Sequence, residues 1–350
     1  MKRFDFLCLL LLAWFPAEAA TNLPSSALEL DDKTVIELTA ALKQYDDPPK
    51  VAGKFTSIGS GVVTILINRW ATEFAALHPE AELNIQSGGS VDGFAKLLAG
   101  QSDLVPMARP LTAADVARFK AKFGYEPAQI VVAQDAVGVY VNKDNPVTGL
   151  TLAQLEAIYA REPKRGGSVA EFWGDLGVTG PLANERLVRV GLSRVHGSFL
   201  YLQDELMQGG AYRFDVRFEA VPSSLVQAAG ADPAAIGCAS VMFGTDRTRF
   251  VPLQAADGAF VLPSYENTAS GRYPLVRPMR IVFNRKPDGS MNPVAREFLR
   301  FAVSRRGQRI IALADSYPLT LEQQEQALRV IGENPRLKAA TQDRGATTAD

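Results

Sequence analysis

Short apolar runs alternate with amphipathic runs and with Gly- and Ser-rich turns along most of the chain after residue 50. Lys54–Ser57 predicts a strand, and apolar residues at near-helical spacing over Val62–His78 predict the helix that follows it. Glu82–Gln86 predicts a second strand, Gly93–Ala99 a second helix, and Asp103–Ala108 a third strand. Strands and helices that alternate in this way are typical of a layered α/β protein.

The pattern continues through the second half of the chain. Ile130–Asn142 is largely apolar with a polar break at Gln134-Asp135, which predicts a buried pair of strands. Leu187–Leu192 predicts a further strand, and a helix is expected to open at His196-Gly197-Ser198 and run to Met207. Asn292–Leu313 predicts one last amphipathic helix.

The N-terminus has a charge and hydropathy pattern of its own. Met1-Lys2-Arg3 is basic, the stretch Phe6–Phe15 is almost wholly apolar, and small residues stand at Ala17 and Ala19. This order is typical of a secretory signal peptide, here predicted over residues 1–19. Because a membrane-spanning helix needs ~20 apolar residues, the run is too short to anchor the chain. We therefore expect an exported, periplasmic protein.

Composition narrows the possible partners and cofactors. The formal net charge is -1 and no block of Lys and Arg is present, so neither nucleic acid nor an anionic membrane is an expected partner. Two histidines and, once the leader is removed, a single cysteine, Cys238, leave few ligands for a zinc or iron–sulfur site. No cofactor is therefore expected, and the chain must be held together by its core without an internal disulfide.

Candidate chemistry lies in the turns. Three strands run into a Gly/Ser turn and then into a helix, at Gly59-Ser60-Gly61, Ser87-Gly88-Gly89-Ser90 and His196-Gly197-Ser198. Such a turn directs backbone N–H groups and the positive end of a helix dipole toward a ligand. Several such turns that meet can hold a dehydrated oxyanion without a metal. Each turn taken alone is better explained as an ordinary helix cap, and the presence of three such turns in one chain shifts the balance modestly toward a ligand site.

These turns, in this order, resemble the anion-binding loops of the periplasmic phosphate-binding proteins, the receptors of bacterial phosphate ABC importers. The resemblance runs from about Phe55 to Leu319 and includes Ala108-Arg109-Pro110-Leu111, Phe172-Trp173-Gly174-Asp175 and the stretch from Arg272 to Pro278. It implies an α/β, two-lobed, periplasmic-binding-protein-like fold with two hinge strands. In this fold the ligand lies in a cleft between the lobes, which close over it.

The resemblance implies two lobes, and the polar composition of the two ends of the chain predicts a tether and a tail. The division is an N-terminal tether over 20–50, lobe 1 over 51–145 plus 275–330, lobe 2 over 146–274, and a flexible tail over 331–350. The hinge strands are expected near Asn142–Pro146 and Tyr273–Pro278. The protein is expected to act as a monomer.

The resemblance assigns ligand-binding residues to loops of both lobes. The candidates are Ser60, Gly61, Thr64, Ser87, Ser90, Arg109, Arg194, His196, Gly197 and Ser198. Arg109 has the alternative role of a salt-bridge partner, and His196 has the alternatives of a helix cap or a pH-sensitive group.

Four positions depart from the family pattern. Ala108 stands where the family usually has Ser or Asp, so no side chain there accepts the proton of hydrogen phosphate. Leu192 stands at the arginine position, Asp92 follows the second loop, and His196 replaces the first serine of the last loop. Arg194 is the candidate replacement for the missing cation. Side-chain donors are therefore fewer than in the family pattern.

Three functions are compatible with these residues. The first is an exported receptor that captures phosphate or a related oxyanion and delivers it to the membrane subunits of an ABC importer. The second is a divergent relative that has lost import and acts as a sensor, scaffold or cell-surface module, which the departures at Ala108, Leu192 and Asp92 favour. The third is an enzyme, for example a hydrolase that uses a serine. This function is disfavoured, because His196 is too close to Ser198 along the chain for a catalytic triad and no G-x-S-x-G motif is present.

Overall fold

The structure, a computed structural model, describes residues 30–194, 196–313 and 316–333. The predicted signal peptide and nearly all of the predicted tail lie outside these residues. The strands form a nine-stranded mixed sheet and a separate two-stranded sheet, with helices between them along the chain. The predicted α/β class is therefore confirmed. Within the described ranges, no helix has the length and apolar character needed to cross a membrane.

The strands and helices follow in close alternation through the first half of the chain and less regularly afterwards. The strands are β1 Gly53–Gly59, β2 Ala81–Ser87, β3 Leu104–Met107, β4 Ala128–Asn142, β5 Val188–Leu192, β6 Arg217–Glu219, β7 Ala235–Ser240, β8 Thr248–Phe250, β9 Leu253–Gln254, β10 Phe260–Val261 and β11 Val276–Phe283. The α-helices are α1 Asp32–Thr39, α2 Gly61–Leu77, α3 Gly89–Leu98, α4 Ala113–Phe123, α5 Leu152–Tyr159, α6 Gly197–Tyr201, α7 Pro222–Ala231, α8 Tyr265–Ala269, α9 Pro293–Val303, α10 Arg305–Ala312 and α11 Leu321–Ile331.

Strand β4 belongs to both halves of the large sheet. The strand order is β2-β1-β3-β11-β4-β7-β5-β6, with β8 paired to the far end of β4. β4 pairs with β11 as far as Ala136 and with β7 from Val137 onward. The stretch expected to be two strands with a break at Gln134-Asp135 is thus a single strand of 15 residues. The change of partner comes several residues before the stretch Asn142–Pro146, where the first hinge strand was expected.

Among the described residues, the two largest of four clusters of buried side chains lie in different halves of the protein. Phe55, Trp70 and Phe298 belong to the cluster beneath β1, β3 and β11. Trp173 and Leu253 belong to the cluster beneath the other end of β4. Each large apolar side chain removed from water contributes about 1.5–3 kcal/mol to stability. Each half therefore has a hydrophobic core of its own, as the resemblance to a two-lobed fold implies.

Residues 30–50, part of the predicted tether, are packed against the first half. Helix α1 begins after Asp31, whose side chain accepts a hydrogen bond from the backbone N–H of Thr34. Leu42 is buried, and the backbone N–H of Lys43 donates to Oε1 of Gln324 in α11 at 2.8 Å. The described part of this segment is therefore anchored by backbone hydrogen bonds that its own sequence pattern did not indicate.

The last amphipathic stretch, expected as one helix over Asn292–Leu313, is two helices. Ser304 has an extended backbone between α9 and α10, and its Oγ accepts from the backbone N–H of Gly307 at 3.2 Å. Gly307 cannot carry a side chain here, because a Cβ would lie 2.3 Å from the carbonyl oxygen of Phe301. The serine cap and the close approach of the glycine therefore divide the stretch into two helices.

Candidate functional site

A cavity of about 490 Å³ lies between the two halves of the protein. It is bounded on one side by the loops that begin α2 and α3, and on the other by the loops that begin α6 and α7. Its lining residues are Ser60, Gly61, Val62, Ile65, Ser87, Gly88, Gly89, Ser90, His196, Gly197, Ala220, Val221, Pro222, Ser223 and Phe243.

Parallel strands bring the first two loops together. β1 and β2 are parallel and in register, so that Gly59 lies opposite Ser87 at their carboxyl ends. Ser60 and Gly88 follow directly and start α2 and α3 at the same edge of the sheet. Ligands of open α/β sheets bind at this edge, outside the carboxyl ends of the strands. A Cβ at Gly61 would lie only 3.1 Å from the Ser87 hydroxyl, so glycine lets the two loops approach each other.

The helices that begin at the cavity differ from the others in how they are capped. Of the described helices with at least eight residues, six have an N-cap side chain that accepts a hydrogen bond from a backbone N–H of the first turn: α1, α4, α5, α9, α10 and α11. The other three, α2, α3 and α7, have none. All three begin at the cavity. Their first-turn N–H groups are therefore available to a ligand.

Two buried hydroxyl groups next to these helix starts have no hydrogen-bond partner among the described residues. They are Oγ1 of Thr64 and Oγ of Ser90, on residues that are 6% and 7% exposed. Ser90 lines the cavity, and Thr64 lies one turn into α2, where its backbone N–H donates to the carbonyl of Ser60. Leaving a buried hydroxyl unsatisfied costs about 1–3 kcal/mol. A ligand in the cavity that hydrogen-bonds these groups removes that cost.

The loop of the second half closes the cavity from the opposite side. A Cβ on Gly197 would lie 3.1 Å from Cβ of Ala108 and 4.0 Å from Oγ of Ser60, so this loop nearly touches the first half. Nδ1 of His196 accepts from the backbone N–H of Ser198 at 3.4 Å, which places the ring proton on Nε2. Burial, reinforced by the charge of Arg277, lowers the pKa of His196 to about 4. The ring is therefore neutral at physiological pH.

Behind this loop, Arg277 of β11 connects Ser198 to the strands that join the two halves. Its Nη1 donates to Oγ of Ser198 at 2.8 Å, and its Nε donates to Oδ2 of Asp135 in β4 at 3.1 Å. Ser240 of β7 donates to the other carboxylate oxygen of Asp135 at 2.7 Å. Both charged side chains are buried. Since the Ser198 oxygen accepts from Arg277, its own proton is available to a ligand.

Sequence reasoning did not assign Arg277, Asp135 or Ser240 to the site. The available signal was a charged residue in each of two apolar strands, because Asp135 interrupts an apolar run and Arg277 precedes another. A buried charge needs a partner of opposite sign. The two positions are 142 residues apart, so the pairing of these two strands had to be known first.

Two predicted ligand residues lie apart from the cavity. Nη1 of Arg109 donates to Oδ2 of Asp115 at 2.7 Å and to the carbonyl of Pro110 at 2.8 Å, the salt-bridge role considered as its alternative. Arg194 is exposed, and its guanidinium lies 6.0 Å from the centre of the Phe199 ring. Neither residue lines the cavity.

The remaining predicted residues come together. Thr64 and Ser198 lie just behind the cavity wall, and the other six line the cavity: Ser60, Gly61, Ser87, Ser90, His196 and Gly197. The described part of the chain contains no group of three or more His, Cys, Asp or Glu residues placed to hold a metal ion.

Comparison with known proteins identifies the family of this fold and site. The family model described as "PBP superfamily domain" matches residues 46–306. A relative from Pseudomonas aeruginosa, "Phosphate-binding protein PstS", is 31% identical over 300 residues, which are 85% of this chain and 93% of the relative. A second PstS, from Staphylococcus epidermidis, is 25% identical over 75% of this chain and 78% of its own length.

Solved structures share the fold. An ABC-type phosphate transport receptor from Vibrio cholerae matches with a TM-score of 0.61 and 21% identity, over 76% of this chain and all of its own. A putative phosphate ABC transporter substrate-binding protein from Clostridium perfringens, solved with bound phosphate, matches with a TM-score of 0.62 and 22% identity, over 77% of this chain and all of its own. The chain belongs to the PBP superfamily of two-lobed solute-binding proteins. Within it, the chain belongs to the PstS family of phosphate-binding proteins, which confirms the resemblance found in its sequence.

Proposed function

We propose that this chain is an exported receptor that captures inorganic phosphate or a closely related oxyanion between its lobes and presents it to the membrane subunits of an ABC importer. One observation carries the proposal. Three helices of the described chain without a side-chain N-cap hydrogen bond, α2, α3 and α7, begin at one cavity, where the buried Ser90 hydroxyl has no partner among the described residues. Oxygen atoms of an anion accept hydrogen bonds from such groups, and the helix dipoles favour its charge.

The cavity holds its anion without a lining cation. Among its described lining residues, none is Lys, Arg, Asp or Glu. A hydrogen bond to a charged group contributes about 1.5–3 kcal/mol, so several N–H and O–H donors together offset much of the cost of dehydrating the anion. Arg277 takes over the role of the arginine that the family pattern has at position 192, but it acts through Ser198 rather than on the ligand.

The same proposal covers location, division of the chain and mode of action. The leader pattern over residues 1–19 and the membership in the PstS family support export to the periplasm. Lobe 1 comprises 51–145 plus 275–330, and lobe 2 comprises 146–274. The receptor acts as a monomer, binds without turnover and is not an enzyme.

Calorimetric titration of the mature protein, freed of bound ligand, tests the proposal with phosphate and with sulfate as a second anion. We expect saturable binding of phosphate at one site per chain. Ser90→Ala and Thr64→Val each remove a hydroxyl that we place on the anion, and we expect each to weaken binding about tenfold or more, since about 1.4 kcal/mol is a factor of ten.

Matched controls exist for both substitutions. Ser57 and Thr268 also have buried hydroxyls without a partner among the described residues, but they lie in β1 and α8, outside the first turns of the helices that begin at the cavity. We expect Ser57→Ala and Thr268→Val to leave the phosphate affinity within about twofold, well below the effect of losing a hydrogen bond to a charged group. If the wild-type protein gave no heat and no thermal shift with phosphate, the proposal would fail, and a divergent relative without import function would become the better explanation.

A further inference from the structure

The cavity is much larger than an inorganic phosphate ion. Its volume is about 490 Å³. One water molecule occupies about 30 Å³ of liquid, and an ion of five heavy atoms fills about the space of two or three waters, ~75 Å³. Most of the cavity therefore remains empty when a bare oxyanion occupies the helix starts. The volume lies in the range of about 300–1,000 Å³ that is usual for sites of small organic ligands.

The space beyond the anion position has an apolar wall. Ile65, four residues after Gly61 in α2, is 37% exposed, and Val221, which precedes α7, is 47% exposed. These two side chains come from opposite halves of the protein and line the same cavity, together with Phe243 from the turn after β7. Exposed apolar side chains that line a cavity are costly in water, and an apolar ligand group that covers them lowers that cost.

The lining of the cavity therefore combines two kinds of chemistry. Ser60, Ser90 and Gly197 present hydroxyl and backbone donors, whereas Ile65, Val221 and Phe243 present carbon. We propose that the ligand is a phosphorus oxyanion with one apolar organic substituent, such as an alkylphosphonate or an alkyl phosphate monoester. This inference rests on the proposed function, because it places the oxyanion at the same helix starts. The substituent lies against Ile65 and Val221.

A ligand series of increasing chain length tests this inference. Calorimetric titration compares phosphate, methylphosphonate, ethylphosphonate and propylphosphonate, with propyl phosphate as the ester. Each buried methylene is expected to tighten binding about fourfold, so propylphosphonate, with two more methylenes, should bind about fifteenfold tighter than methylphosphonate. The ester and the phosphonate share the PO3 group and the propyl group and differ by the bridging oxygen of the ester, so their relative affinities show which of the two linkages the site prefers.

Variants of the apolar wall supply the control. Ile65→Ser and Val221→Ser should reduce the ratio of propylphosphonate to phosphate affinity at least threefold. Ile36→Ser, at an exposed isoleucine of α1 that does not line the cavity, should leave that ratio unchanged. If phosphate bound but affinity stayed flat or fell with chain length, the inference would be overturned while the proposed function stood. If neither phosphate nor any member of the series bound, the proposed function itself would fail.

Discussion

The buried pair of Arg277 and Asp135 allows a test of the proposed binding site. It joins strands β4 and β11, and Arg277 also holds Ser198, so its loss should affect both stability and ligand binding. Arg277→Met keeps much of the side-chain volume but leaves the Asp135 carboxylate without its cationic partner. The side chains of the two residues are 1% and 0% exposed. Removing one member of such a pair costs about 3–5 kcal/mol. At about 2–4 °C per kcal/mol for proteins of this size class, we expect the midpoint of thermal unfolding to fall by roughly 10 °C.

The double variant Arg277→Met/Asp135→Leu separates the structural role from the binding role. Removing both charges leaves no uncompensated ion, so we expect most of the lost stability to return. Phosphate affinity is expected to stay low in both variants, because the hydrogen bond that orients Ser198 is lost in each. Scanning calorimetry gives the stability, and titration calorimetry gives the affinity.

Two results would contradict this reasoning. A loss of less than about 1 kcal/mol in Arg277→Met would mean that Asp135 finds other compensation, since it would fall far below the cost of an uncompensated buried charge. A double variant that recovered phosphate affinity along with stability would show that Arg277 acts on binding only by holding the fold, and not by orienting Ser198.

Three further predictions follow from individual contacts. The pKa of His196, about 4 in the folded protein, lies below the ~6.5 of an unfolded chain, so the unfolded state binds more protons between these values. Stability should therefore fall as the pH falls from about 6.5 toward 4, by at most about 3 kcal/mol, and chemical denaturation at several pH values should show a flatter profile for His196→Gln. Gly197→Ala adds a methyl group 3.1 Å from Cβ of Ala108, and we expect titration calorimetry to show roughly tenfold weaker phosphate binding while the unfolding midpoint without ligand shifts little. Leu42→Ala, at a buried side chain, should lower the free energy of unfolding by about 2–5 kcal/mol, whereas Ile36→Ala, at a half-exposed one, should stay within about 0.5 kcal/mol in the same urea titration.

Local patterns predicted the elements around the first two loops well. β1, α2 and β2 lie close to their predicted ranges, because apolar spacing and the glycine-rich turns are local signals. The start of α3 was expected at Gly93 but lies at Gly89, inside the predicted turn. A loop that binds a ligand and a loop that caps a helix have the same composition. The structure distinguishes them, because the ligand-binding loop lacks the capping hydrogen bond.

The side-chain partners of the arginines set the limit of that prediction. Arg109 was assigned to the ligand because it lies beside an anion-binding loop of the family in the sequence. Its guanidinium instead forms a salt bridge with Asp115, six residues later. Arg194 was expected to replace the missing cation, but the buried cation next to the last loop is Arg277, on a strand 83 positions further along. Which of several arginines reaches a site depends on strand order, which no local pattern specifies.

The position of β11 in the sheet has a consequence for how the chain matures. β11 lies between β3 and β4, although it follows β4 by more than a hundred residues. Until β11 is in place, β3 and the part of β4 up to Ala136 each present an unpaired edge, and unpaired edges can pair with strands of other chains. The stretch between β4 and β11 contains β5 to β10 and most of a hydrophobic core of its own, so it can fold before β11 completes the first half. For a chain that crosses a membrane from its N-terminus, the first half would therefore be the last to be completed, and the one most in need of protection from aggregation.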